Sequence, residues 1–196
     1  MAFIKYLDKE NIPEKNRVPD SDNIIQIHGI NSTVMRNHYD MYITLMRKRS
    51  PLSRIQREEI AVAVSAVNEC HYWLTHHGAG LRLLLTKEGM EQEKQDLLLS
   101  ALESDHTTAD ISTGDMAMLD YAIKLTKTPE NMSEGDVKKL QREGFDDRSI
   151  HDICASTAYF AFVNRMADGL GVELEDRFSE NLWPIFTTTR HPEQPH

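Results

Sequence analysis

Apolar residues along this chain recur at helical spacing, and the densest run is IAVAVSAV, Ile60 to Val67. Eight such residues fit a buried strand as well as a helix on periodicity alone. Three features favour helix. Ser53 with Gln56 three residues on forms a capping-box pattern, Ile55 to Glu59 keep helical spacing, and the alanines are strong helix formers. A helix apolar on nearly every side is a central one. The pattern therefore predicts a central helix from about Arg54 to near Asn68, and a second from about Glu69 to Thr86.

The remaining pattern is read the same way. A short helix covers Asp22 to His28 and breaks at Gly29. Asn31 or Ser32 caps the next, which runs to about Lys48 with Val34, His38, Met41, Leu45 and Met46 on one side. Ser50-Pro51 ends it, because the residue before proline avoids helical dihedrals. Glu91 to Ser100 is a modest helix, and Ser112 with Asp115 opens another along MAMLDYAIKLTK, closed by Pro129. Ser133 with Asp136 starts a short polar helix that Gly144 stops. Asp146 or Asp147 then opens a long final helix ending at Gly169 or Gly171. No stretch alternates like a strand and no repeat is evident, so the fold class is all-α.

Composition narrows the setting. A chain of 196 residues, 40% hydrophobic and 27% charged, suits a globular protein with one substantial core. The expected organisation is an N-terminal arm over 1–20, a single helical domain over 21–186, and a flexible tail over 187–196. The arm, bearing Pro13 and Pro19, reads as a strap over the body or a neighbouring subunit. The apolar LWPIF at 182–186 reads as a patch that docks on the body or a partner. A net charge of −9 with no concentrated basic face disfavours nucleic acid. No run approaches about 18 apolar residues, so no membrane span is expected. Two cysteines make no disulfide framework, and the opening residues lack the apolar core of a secretory signal. The expected compartment is the cytoplasm.

Candidate chemistry gathers between the two central helices. Cys70, Trp73 and His77 stand three and four apart and form one stripe on a helix. Cys70 falls in the predicted first turn, where the helix dipole favours a thiolate, with His71 adjacent. The plainer reading of Cys70 is a small buried hydrophobe, and that of Cys154 is core packing. His71, His76 and His77 have spacings of five and one, which chelate a metal poorly, so no metal is assigned. No phosphate-cradling loop or nucleophile elbow is present, and no cofactor is assigned. Gly78 and Gly80 either permit close helix packing or leave room for a bound molecule beside His77.

Three longer segments carry a resemblance: PLSRIQREEIAVAVSAVNECHYW, LDYAIKLTKTPENM and AYFAFVNRMADGLGVELED, the last with Phe162-Val163-Asn164-Arg165. Together they resemble the carboxymuconolactone decarboxylase and alkylhydroperoxidase D-like proteins, in particular the peroxidase-related branch. That resemblance implies a helical homo-oligomer, a dimer, trimer or hexamer, acting on a small hydroperoxide or other small organic ligand. It also implies a peroxidatic site in which a glutamate precedes a Cys-x-x-Cys pair and a histidine follows it. Carried over, the glutamate is Glu58, the first cysteine Cys70 and the histidine His77, with His71 and His76 lining the site. The second cysteine, the family's nucleophile, is replaced by Trp73. An indole forms neither sulfenic acid nor disulfide, so the two-cysteine cycle cannot run at positions 70 and 73. Trp73 either fills the family's pocket or forms its wall. Three classes follow: a residual one-cysteine thiol peroxidase or reductase with antioxidant function, a thiol-independent acid–base enzyme of decarboxylase type, or a non-catalytic binding or assembly protein.

Overall fold

The computed structural model describes residues 1–178; the apolar patch at 182–186 and the tail at 187–196 lie outside them. Eight α-helices and no strand occur among the described residues. They are α1 (Asn23–His28), α2 (Ser32–Tyr42), α3 (Arg54–Val67), α4 (His71–Lys87), α5 (Gln92–Ser104), α6 (Thr113–Lys127), α7 (Glu134–Arg142) and α8 (Asp147–Leu170). None is long and apolar enough to cross a membrane.

Helix α3 is the axis of the fold, packed by α4, α5, α6 and α8. Ile60 through Val64 are fully buried, which is why this helix carries apolar residues on every side. Its start is the capping box read from sequence: Gln56 N donates to Ser53 Oγ at 3.0 Å and Ser53 N donates to Gln56 Oε1 at 2.9 Å. Its end is less regular. Cys70 N donates to Ser65 O at 2.9 Å and Glu69 N to Ala66 O at 3.0 Å, the paired bonds of a Schellman turn. Glu69 occupies the left-handed position at φ 56°, where glycine is the usual residue. Helix α4 consequently starts at His71 rather than Glu69, and Cys70 is its N-cap rather than a residue of its first turn.

Two other boundaries differ from the sequence pattern. The second helix does not run as one α-helix to Lys48, because after Tyr42 it widens into a π-helical turn, Ile43–Arg47. That turn is fastened from outside: Arg57 Nη1 donates to Leu45 O and Lys48 O, each at 3.0 Å. The fourth long helix reaches Ser104 rather than Ser100, burying Leu102 with Leu98 and Leu99.

The N-terminal arm straps the body. Ile12 and Val18 are buried in the core, and Phe3 N donates to Leu170 O at 2.9 Å. Helix α8 stops at Gly171, φ 62°, whose missing side chain leaves space for the Phe3 ring. The chain then returns over α1, where Asn23 Nδ2 donates to Glu173 O at 2.9 Å.

A buried acid on α3 gives the fold a pH dependence. Glu59 is almost fully buried, and its Oε2 has no hydrogen-bond partner among the described residues. Burial, with a smaller contribution from Asp115, pushes its carboxyl up to about 8. An acid raised on folding holds its proton more tightly in the folded state. Its stabilising contribution is therefore complete below about 4.5 and is lost as pH climbs through about 8. Urea unfolding at about pH 5 and about pH 8.5 should show a loss on the order of 1–4 kcal/mol that Glu59→Gln abolishes. Equal pH dependence in the two proteins would contradict this assignment.

Candidate functional site

The tight turn after α3 sends α4 back antiparallel, and this sets the register of the site. Glu58, two residues before the apolar run, faces His77 on the second turn of α4. His77 Nδ1 lies 2.5 Å from Glu58 Oε2, and both side chains are about 95% removed from solvent. A carboxylate only accepts, so with Glu58 ionised it is Nδ1 that donates the hydrogen of this contact. The His77 Nε2 is buried with no hydrogen-bond partner among the described residues. Gly80 makes the approach possible: a Cβ there would stand 3.1 Å from Glu58 Oε2 and 3.3 Å from its Cδ. The space is thus filled by the Glu58 carboxylate, which favours the close-packing reading of this glycine.

The pair opens on a cavity of about 400 Å³ lined also by Tyr42, Arg47, Trp73, His76, His38 and Phe178. Trp73 forms its wall. The indole stacks on the His77 ring at 5.3 Å between centroids and 21° between planes. Its Nε1 donates to Val163 O at 3.0 Å, which holds the ring in place from α8. On the facing side the π-helical turn presents Arg47, whose Nη2 donates to the Tyr42 hydroxyl at 3.2 Å. π-Helical turns occur often at functional sites, where they re-aim one or two side chains.

A second imidazole pair borders the cavity. His38 Nδ1 and His28 Nε2 are 3.0 Å apart, both rings buried. Burial, aided by the neighbouring His28, pulls His38 down to about 3, so it lines the cavity as a neutral ring. Helical periodicity placed His38 on an apolar face but gave no sign of His28 as its partner.

The other residues singled out from sequence divide sharply. His76 lines the cavity. His71 does not: it is exposed at the first position of α4, on the face away from Trp73 and His77. Cys70 is also outside the cavity. It is fully buried, with its Sγ 3.7 Å from Asn164 O. Burial pushes its thiol up to about 12, outweighing the pull of the Trp73 amide at the helix start. The expectation of a dipole-stabilised thiolate is therefore corrected, because desolvation of the sulfur is the larger effect. Cys154 is a free, half-buried thiol on α8.

No protein-family model matches the chain, and no curated protein matches it in sequence. Solved structures do. An alkylhydroperoxidase AhpD core, an uncharacterized peroxidase-related protein from Ralstonia eutropha JMP134, is 30% identical. The match covers 90% of this chain and 94% of that one, with a TM-score of 0.78. This chain belongs to the alkylhydroperoxidase D-like proteins, peroxidase-related branch. A second member, from Silicibacter sp. TM1040, is 31% identical over 81% of this chain and 79% of its own, TM-score 0.72. The debrominase Bmp8, solved with 2,3,4-tribromopyrrole, shares the fold at 16% identity, TM-score 0.69, over 89% of this chain and 92% of its own. Within the alkylhydroperoxidase D-like fold, this chain has a carboxylate–imidazole pair beside a cavity and an indole stacked on the imidazole.

Gly80→Ala tests the geometry. Alanine improves helix propensity by about 1 kcal/mol, so α4 should persist while the added methyl displaces the Glu58 carboxylate. The downfield Nδ1 proton of His77 should be visible by NMR in the wild type and move upfield or vanish in the variant. An unchanged resonance in a folded variant would show that the contact does not depend on Gly80.

Proposed function

We propose that this protein is a thiol-independent acid–base enzyme that moves a proton on a small organic molecule bound in the cavity. The observation that carries the reading is the buried Glu58–His77 pair, whose imidazole lines the cavity and whose Nε2 has no hydrogen-bond partner among the described residues. In this reading Nε2 takes a proton from the substrate, a molecule whose C–H is acidified by a neighbouring carbonyl. Glu58 fixes the ring tautomer through Nδ1 and stabilises the imidazolium formed. Trp73 holds the ring plane by stacking and keeps water from one side of it. Cys70 takes no part, since a fully buried, protonated thiol outside the cavity is no nucleophile at neutral pH. The family's antioxidant oxidoreductase chemistry is therefore not the reading supported at positions 70 and 73.

Proton exchange tests this directly. In D2O the protein should speed deuterium incorporation at the activated carbon of at least one compound in a panel of small ketones, oxo acids and lactones. His77→Gln should lower that rate by about 10²-fold or more, and Cys70→Ser should leave it unchanged. Exchange that survives His77→Gln, or that needs Cys70, would overturn the assignment.

The missing sulfur gives a second test. Wild-type protein supplied with a dithiol reductant should show little alkyl hydroperoxide turnover, because no disulfide can form between positions 70 and 73. Trp73→Cys should gain activity, with His77 four residues beyond the new thiol. Wild-type turnover equal to that of the variant would place peroxidase chemistry elsewhere in the chain.

The reading includes a homo-oligomer, dimer, trimer or hexamer, in the cytoplasm. Exposed Val34 and Met41 on α2 and Phe162 on α8 support association, as the two free cysteines support a reducing compartment. Light scattering should give a multiple of 22.5 kDa; the monomer mass at micromolar concentration would contradict it.

A further inference from the structure

We propose that Asp22, His76 and Glu175 form a binding site for one divalent transition-metal cation at the mouth of the cavity. This goes beyond the proton-transfer reading and uses neither Glu58 nor His77. The three residues come from separate parts of the chain: the N-cap of α1, the second turn of α4, and the segment after α8. One donor atom from each lies within 4.8 Å of the other two. Metal ligands at ~2.0–2.2 Å from a common centre stand roughly 3–3.5 Å apart, so the wider separations have to close in while His76 Nε2 and Glu175 Oε2, 2.7 Å apart, open slightly. One imidazole with two carboxylates is a donor set for zinc, manganese, iron or cobalt rather than calcium.

The surroundings orient these donors as outer-shell partners orient metal ligands. Glu175 Oε1 accepts from the Tyr72 hydroxyl at 2.8 Å and from Asn23 N at 2.7 Å. Those two bonds leave Oε2 turned to His76 Nε2, 2.7 Å away. The His76 ring is held between Tyr72, stacked at 4.4 Å, and Phe178 at 4.6 Å.

The site is also built to hold positive charge. Arg177 Nη2 lies 2.7 Å from Asp22 Oδ1 and 3.7 Å from Glu175 Oε2, spanning the two carboxylates. Its side chain is half-exposed, whereas those of His76 and Glu175 are only 12% exposed. The guanidinium can swing into solvent while the ligands stay in place. A dication takes over its role and replaces the hydrogen shared by His76 and Glu175. Three protein ligands leave a position open, and Asp22 and His76 both line the cavity.

Cobalt(II) titration of the full-length, metal-stripped protein tests this by visible absorption. One equivalent per chain should produce d–d bands, and zinc should displace them. His76→Gln and Glu175→Gln should each weaken binding by at least about tenfold, with circular dichroism confirming the fold. Arg177→Gln should tighten binding, since it removes the competing cation without touching a ligand. Cys70→Ser and Cys154→Ser should leave the spectrum unchanged. No stoichiometric binding, bands that survive His76→Gln, or an Arg177→Gln variant that binds no more tightly than wild type would each overturn the proposal. The readout involves no turnover, so failure here and failure of proton exchange are separable.

Discussion

A carboxylate inside an apolar helix bundle is costly unless an opposite or hydrogen-bonding group meets it, and Glu58 stands two residues before the most apolar stretch of α3. Its partner is His77, and bringing the two within 2.5 Å fixes much else in the fold. Helices α3 and α4 have to run antiparallel through a very short turn, which Glu69 provides at φ 56°. A side chain at position 80 would crowd the carboxylate, which lies 3.1 Å from where its Cβ would stand. A left-handed glutamate costs on the order of 1–2 kcal/mol relative to an unstrained conformation, and the Schellman bonds around it offset part of that. Strain in the connection and precision in the pair are two sides of one constraint.

The same pair stands apart from the chain's two thiols. A thiol cycle needs an accessible thiolate, a second sulfur and a proton carrier. Neither cysteine lines the cavity beside the pair. The Trp73 indole covers a face of His77 and anchors to Val163 O, which fixes that wall of the cavity. Desolvation does the rest at Cys70. The helix N-terminus that favours a thiolate is present, but with the sulfur fully buried its pull is smaller than the cost of burying the charge.

Where the sequence was legible, a local interaction carried the signal. The Ser53–Gln56 box, the Asp146 cap and Gly144 each mark a boundary within a few residues of the group they satisfy. The Glu58–His77 relation came from resemblance rather than from spacing, since nineteen residues and a turn of unread geometry separate them. The Schellman turn went unread because glutamate, not glycine, occupies its left-handed position. The π-helical turn at Ile43–Arg47 is held by Arg57, a residue on the following helix, so nothing within the segment announces it. His76 was assessed against neighbouring histidines alone, whereas its carboxylate partners Asp22 and Glu175 lie 54 and 99 residues away. Long-range polar contacts of this kind leave no periodicity to read.

Charge around the cavity bears on what it can hold. Asp20, Asp22 and Glu58 line it against Arg47 and Arg177, and His38, held neutral by burial, adds nothing to the positive side. Arg177 is already committed to Asp22 at 2.7 Å, which leaves Arg47 as the cation facing two carboxylates. In a partly enclosed space such a surplus of negative charge repels an anionic ligand. A neutral molecule suits that field better than a carboxylate does. A dication bound by Asp22, His76 and Glu175 would reverse the balance at the mouth and admit an anion. The charge of the ligand and the occupancy of the mouth are therefore coupled through the same few side chains.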